Sequence, residues 1–282
     1  MANERTQAPQ PQASAADPML KLTRVSKTFN RGTANEKVAI WPMDLTIDRG
    51  DFVTIIGGNG AGKSTLLNLI AGVFLPDGGT VVIDGTDVSL DAEPQRARYL
   101  GRVFQDPMRG TASDMQIVEN MALAYRRGTR RGLQRGVTAE ERALFKEKLG
   151  TLGLGLEGRL SSKVGLLSGG QRQALTLLMA TLKRPDVLLL DEPTAALDPA
   201  TAAKVTTLIR EIVEGEGLTA LMVTHNMTDA LKLGNRLIMM SEGRVIYDVR
   251  GAEKDALVVA DLLEKFEEVS GQAFDNDRML LG

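Results

Sequence analysis

With 282 residues, 43% of them hydrophobic, and a formal charge of -2 at pH 7, the chain can bury a substantial core but has no surplus of Lys and Arg for non-specific nucleic-acid binding. It has no cysteine, which excludes disulfides and thiolate-bound zinc or iron–sulfur centres and is compatible with a reducing compartment. No stretch approaches the roughly 18 to 20 consecutive apolar residues needed to cross a bilayer.

Residues 1–18, MANERTQAPQPQASAADP, lack the basic start and apolar middle of a signal peptide, and their composition predicts a disordered tail. From Met19 onward short β-rich runs alternate with helical patterns: DFVTIIG, then KSTLLNLIAGVF, then GTVVIDG. That rhythm predicts an α/β fold. From about Asp106 to Gly165 no strand pattern is evident, while DMQIVENMALAYRRG and TAEERALFKEKLGTLGL have helical spacing, so this segment reads as a helical insertion. Within it RRGTRRGLQR, residues 126–135, reads as a solvated Arg-rich loop, with lipid headgroups or a partner protein as the alternative.

Further on, PDVLLLDEP is continuously apolar before its acids, as suits a strand buried on both faces. ATAAKVTTLIREIVEGEG follows as an amphipathic helix closed by Gly, and LTALMVTHN as a second buried strand. This βαβ order predicts a parallel sheet. EKDALVVADLLEKFEEV reads as one final helix with a packing stripe of Leu257, Val258, Leu262, Leu263 and Phe266. Residues 271–282 are left as a C-terminal tail, so the folded domain is expected over 19–270.

Three segments carry chemistry. GGNGAGKST, residues 57–65, satisfies G-x-x-x-x-G-K-[ST] after a strand-like run: its glycines let backbone N–H groups curl around phosphate oxygens at a helix start. In such a loop Lys63 reaches the β and γ phosphates, the Ser64 hydroxyl holds Mg²⁺ and Thr65 bonds a further phosphate oxygen. VLLLDE, residues 187–192, delivers two carboxylates at the end of a strand, where α/β sheets bind ligands. Asp191 is placed to hold Mg²⁺ through water, and Glu192 to polarise an attacking water. In LLSGGQRQAL, residues 166–175, Ser168 is a candidate N-cap and the glycines expose a second helix start that attracts phosphate. His225 is the only histidine of the chain. At the end of an apolar run it reads either as a structural residue or as a proton-sensitive one.

GGNGAGKST, VFQDP, LSGGQ, VLLLDEPTAALD and VTHN occur in the order found in the nucleotide-binding subunits of ATP-binding cassette (ABC) transporters, and from about Leu20 to Phe266 the chain resembles that family. The resemblance implies a P-loop NTPase cassette with a RecA-like core, an antiparallel β subdomain and an inserted α-helical subdomain. It assigns MgATP to Gly57, Asn59, Gly60, Ala61, Gly62, Lys63, Ser64 and Thr65. Gln105 matches the Mg²⁺-sensing glutamine that couples to the membrane partner, and Phe29 the aromatic stacked on adenine, where family members more often carry Tyr. Ser168, Gly169, Gly170 and Gln171 match the signature that closes over the γ-phosphate of a second cassette. Asp198 matches the dimer-contact aspartate, although TAALD departs at Ala195 from the frequent Ser-Ala-Leu-Asp form. His225 matches the switch histidine that reaches the γ-phosphate beside Glu192.

The function implied is ATP hydrolysis in a head-to-tail dimer at the cytoplasmic face of the inner membrane. It would drive a separate permease, with import as the expected direction, an extracytoplasmic solute-binding protein as an indirect partner and no nucleic acid. GTASDMQIVENMALAYRRG and RQALTLLMATL look most like a branch that takes up amino acids or related small organic solutes. A soluble assembly ATPase of the iron–sulfur scaffold type is the alternative within the family. A nucleic-acid-associated ATPase is the alternative from another class; the long coiled coils, second cassette or zinc motifs that would favour it are not seen in the sequence.

Overall fold

The computed structural model describes residues 17–129 and 136–270. The expected N-terminal and C-terminal tails and the centre of the Arg-rich segment therefore lie almost wholly outside the described residues. In chain order the first elements are β1 (Leu20–Phe29), β2 (Lys37–Ile47), β3 (Phe52–Gly57), α1 (Lys63–Ala71), β4 (Gly78–Ile83), β5 (Thr86–Asp87), α2 (Glu93–Arg96) and β6 (Leu100–Val103). Then come α3 (Ile117–Tyr125), α4 (Ala139–Gly150), α5 (Gly169–Thr181), β7 (Val187–Asp191), α6 (Pro199–Gly215) and β8 (Ala220–Val223). The last are α7 (Met227–Lys232), β9 (Arg236–Ser241), β10 (Arg244–Arg250), α8 (Gly251–Asp255) and α9 (Val259–Ser270).

Two sheets result. β2-β1-β4-β5 is antiparallel, and its first strand begins by alternating buried Leu20 and Leu22 with exposed Lys21 and Thr23, as a sheet with one wet face requires. The second sheet runs β10-β9-β3-β8-β7-β6, parallel throughout except for β10 at one edge. All six residues of FVTIIG and all four of ALMV are buried, because helices or the other sheet cover both faces.

Alternate side chains of β7 serve different cores. Val187 and Leu189 join α1 and the antiparallel sheet, whereas Leu188 and Leu190 face Leu177 of α5 and Val205 and Ile209 of α6. The segment 106–165 is helical as its spacing predicts, with α3, α4 and two short 3-10 turns; Gln116 and Lys163 make an isolated bridge across it. Its own core holds Ile117, Met121, Phe145 and Leu149, and is completed by Ala174, Leu175 and Leu178 of α5. The signature helix thus belongs physically to the insertion as well as to the main core.

The final helix differs from expectation. It is two helices, α8 and α9, and Val258 is 57% exposed instead of lying in the packing stripe. Lys254 accounts for the first half: its buried ammonium donates to the carbonyls of Leu231 and Gly234 at 2.7 and 3.0 Å and pins α8 to the end of α7. Asp261 accounts for the second, since its carboxylate accepts the Val258 N–H at 2.8 Å and starts a new helix there. Leu262 and Phe266 do pack as expected, against Ile56, Met227 and Met239. Among the described residues no helix is long and apolar enough to cross a membrane.

Candidate functional site

The loop from β3 to α1 has a shape that its glycines alone permit. Gly57 has φ 152°, and a Cβ there would stand 2.2 Å from the Met240 carbonyl oxygen; Gly62 has φ 99°, and its Cβ would meet the Ala39 carbonyl oxygen at 2.8 Å. Gly62 is also the N-cap of α1 and offers no side chain, so the first N–H groups of the helix face the loop without a side-chain cap. The loop bounds a cavity of about 410 Å³ lined by Asn59, Gly60, Ala61, Gly62, Lys63, Ser64 and Thr65 together with Phe29, Gln105, Glu192 and His225.

Inside the loop, the Lys63 ammonium donates to the carbonyls of Gly57 at 2.7 Å and Gly58 at 3.1 Å. Burial pulls its pKa below the ordinary lysine value, against the attraction of Glu192 and Asp191. Ser64 Oγ lies 3.5 Å from Asp191 Oδ1. Burial pushes the Asp191 carboxyl up, and the cation that opposes this most is Arg102. A hydroxyl and a carboxylate oxygen converging at a helix start suit a hard cation such as Mg²⁺, which takes few protein ligands and completes its shell with phosphate and water. The chemistry of the donor pair therefore fits the metal. Among the described residues there is no cluster of three His, Cys, Asp or Glu that could hold a metal by itself.

Glu192 and His225 meet because of strand register. Asp191 pairs with Val223 across β7 and β8, so the chain leaves both strands at the same level. His225 Nε2 then stands 2.5 Å from Glu192 Oε1. Glu192 is 8% exposed, and its backbone has φ 47°, a left-handed conformation that costs a non-glycine residue about 1 to 3 kcal/mol. The turn swings its carboxylate toward the cavity instead of continuing the strand direction of Asp191. His225 Nδ1 is buried with no partner among the described residues.

The remaining site residues fall into two groups. Gln105 lines the main cavity and also an adjoining one of about 300 Å³ that contains Asp191, so it connects the two. Phe29, the last residue of β1, reaches the cavity wall and packs edge-on against Phe74 with ring centres 5.1 Å apart. Ser168, Gly169, Gly170, Gln171 and Asp198 line neither cavity. They sit together elsewhere: a Cβ on Gly169 would stand 3.3 Å from Leu197, and one on Gly170 would stand 2.2 Å from Thr201. Ser168 caps α5 through the N–H of Gln171 at 3.3 Å, as its sequence position predicts. Asp198 caps α6 by accepting the Thr201 N–H at 3.1 Å, a structural duty that sequence reading missed; these hydrogen bonds hold its carboxyl below the ordinary range.

Lys37 and Ala39 also line the cavity without a sequence signal. Their signal is the register of the antiparallel sheet, which sets Lys37 opposite Phe29. Arg102 was missed as well, since one Arg in a strand carries no motif.

A mainly parallel sheet with a glycine loop at the end of β3, acids at the end of the neighbouring strand but one and a helical insertion define a P-loop NTPase cassette. The ABC transporter family profile matches residues 40–195. A tyrosine transport ATP-binding protein of Clostridioides difficile is 43% identical over 88% of this chain and 99% of its own length. A thiamine import ATP-binding protein of Salmonella paratyphi A is 37% identical over 72% of this chain and 81% of its own length. Among solved structures, the dimeric post-hydrolysis state of the ATP-binding cassette MJ0796, bound to ADP and phosphate, aligns with TM-score 0.70 and 32% identity over 82% of this chain and 98% of that one. The chain belongs to the ABC transporter family and is an ATP-binding cassette.

Proposed function

We propose that the chain hydrolyses MgATP as a head-to-tail dimer and so drives import of a small solute through a separate permease. The observation that carries this reading is the 2.5 Å contact between His225 and the strained Glu192 at the wall of the phosphate-loop cavity. The loop N–H groups and Lys63 bind the phosphates, and Phe29 offers a face for the base. The Glu192 carboxylate accepts a proton from water as that water attacks the γ-phosphorus and the bond to the ADP oxygen breaks, while His225, whose Nε2 contacts that carboxylate, shares the same N–H with the γ-phosphate. Gln105, which lines both this cavity and the one that contains Asp191, positions the water or the metal. Mg²⁺, held by the Ser64 hydroxyl and Asp191, would neutralise charge on the β and γ phosphates.

The signature residues lie outside the chain's own cavity, yet they form a helix start at which Ser168 and Gly169 are exposed, which supports their use on a second copy. A groove of about 740 Å³ between β6, α3 and α5 supports docking of a permease helix; it has apolar Leu100, Leu123 and Met179 in its lining and Arg102, Arg109 and Arg127 beside them. On this reading the chain works at the cytoplasmic face of the inner membrane, with an extracytoplasmic binding protein delivering the solute. The tyrosine transport relative, aligned over 99% of its length, supports an amino acid or a related small organic solute.

Glu192→Gln tests the reading. The amide keeps shape but cannot take the proton, so ATP binding persists, turnover falls and MgATP holds two chains together on size-exclusion chromatography. A variant that stays monomeric with MgATP and turns over at the wild-type rate would refute it.

A further inference from the structure

Arg102 lines the proposed docking groove, which shares Phe104 and Arg109 with the cavity that contains Asp191 and Gln105. Its side chain is only 14% exposed. Nη2 donates to Asn68 Oδ1 at 2.6 Å, and Nη1 reaches Glu93 at a long 3.4 Å. The guanidinium lies over the Phe104 ring, 4.6 Å from its centre, and Arg109 approaches the same ring at 5.4 Å. Nε is buried with no partner among the described residues. A buried cation left partly unpaired is costly, and Leu100, on the same face of β6, shows that an apolar side chain can fill that layer.

What Arg102 touches explains why a cation is kept there. Asn68 is four residues beyond Ser64 on α1, so the helix face that brings Ser64 to Asp191 also brings Asn68 to Arg102 one turn below. Phe104 directly precedes Gln105, and its carbonyl accepts a 3.4 Å hydrogen bond from Gln173 of α5. One guanidinium therefore braces the helix that carries Ser64 and the backbone that leads to Gln105. It does so from the edge strand beside the one that ends in Asp191.

Building on the proposed hydrolysis, we propose that Arg102 is a positioning residue that holds the Ser64–Asp191 pair and Gln105 in register for the reaction. It touches no nucleotide. Its loss shifts the groups that act on metal and water and spares those that bind the base and the loop phosphates.

The test uses the full chain with Arg102→Met, Arg102→Lys and Asn68→Ala. In Arg102→Met, MgATP turnover should fall by about 10- to 100-fold, as small misplacements of catalytic groups do. KM for ATP should stay within about twofold, and the Mg²⁺ concentration for half-maximal turnover should shift. Binding of a fluorescent ATP analogue in EDTA should match wild type, while the effect of Mg²⁺ on that binding should shrink. Lysine keeps the charge but lacks the planar fork, so it should not restore turnover. Asn68→Ala should show the same split more weakly and add nothing to Arg102→Met, because both remove one contact. The inference is overturned if folded Arg102→Met keeps wild-type turnover and Mg²⁺ dependence, if kcat and KM move together, or if the Asn68 effect adds in full. Should Arg102→Met not fold, Asn68→Ala decides alone by the same split. A wild-type chain with no MgATP turnover overturns both this inference and the ATPase reading.

Discussion

Glu192 shows how the candidate site is built against local backbone preference. A glutamate at φ 47° is strained, and the fold tolerates it because the Glu192 N–H bonds to Val223 at 3.0 Å and its carbonyl accepts the Ala195 N–H at 3.2 Å. Its partner His225 can be tested cleanly, being the only histidine. His225→Ala should fold and bind ATP but lose most of its hydrolysis, and the wild-type ring signal in NMR should move with a nonhydrolysable ATP analogue and Mg²⁺ more than with ADP. Normal turnover in the variant, or equal shifts with both nucleotides, would leave His225 a structural residue. Two positions further on from α7's start, Asp229 gives a pH prediction. Burial raises its carboxyl above the ordinary 3.8, only partly offset by Lys232 and a hydrogen bond with Thr206. The folded chain therefore holds that proton more tightly than the unfolded chain, so this group destabilises above its folded pKa and is relieved as pH falls toward 3.8. Asp229→Asn should raise the melting temperature at neutral pH, with a gain that shrinks on acidification; a constant gain would refute the cause.

At the scale of elements, the cap at the start of α5 can be separated from the contact with a second copy proposed for the same residues. Ser168→Ala removes the cap and should cost about 1 kcal/mol, or about 2 °C in Tm for a domain of this size. Ser168→Asp should recover the melting temperature, because aspartate caps as well as serine. If the proposed dimer forms, this substitution should nevertheless weaken MgATP-driven association, because it would set a negative charge toward the γ-phosphate bound by the second copy. Association equal to wild type in Ser168→Asp would argue against the trans contact. The cap itself is legible in LSGGQ, since a serine three residues before a glutamine at a helix start is a local pattern. The break between α8 and α9 is not legible, because it depends on Lys254 finding the carbonyls of Leu231, in α7, and Gly234, just beyond it, across space.

Across the whole molecule, the packing divides the chain into cores that share α5. Phe145 is fully buried in the core of the insertion and makes an edge-on contact with Tyr125. Phe145→Ala should cost about 3 to 5 kcal/mol. The loss should be local: hydrogen exchange should rise in α3, α4 and the near face of α5, while β3, β7 and β8 keep their protection. Equal loss in both regions would show the insertion and main core to be one cooperative unit.

The phosphate loop, the paired acids, the capped helix start in LSGGQ and the βαβ order of a parallel sheet are all legible in the amino-acid sequence, because each depends on residues close together in the chain. Tertiary structure decided the rest. Lys37 enters the cavity through its pairing with Phe29, Glu192 meets His225 through the register of β7 and β8, and Arg102 gains its partners from α1 and the Gln105 segment. These contacts join positions far apart in sequence, and their geometry is fixed only when strands pair and helices pack.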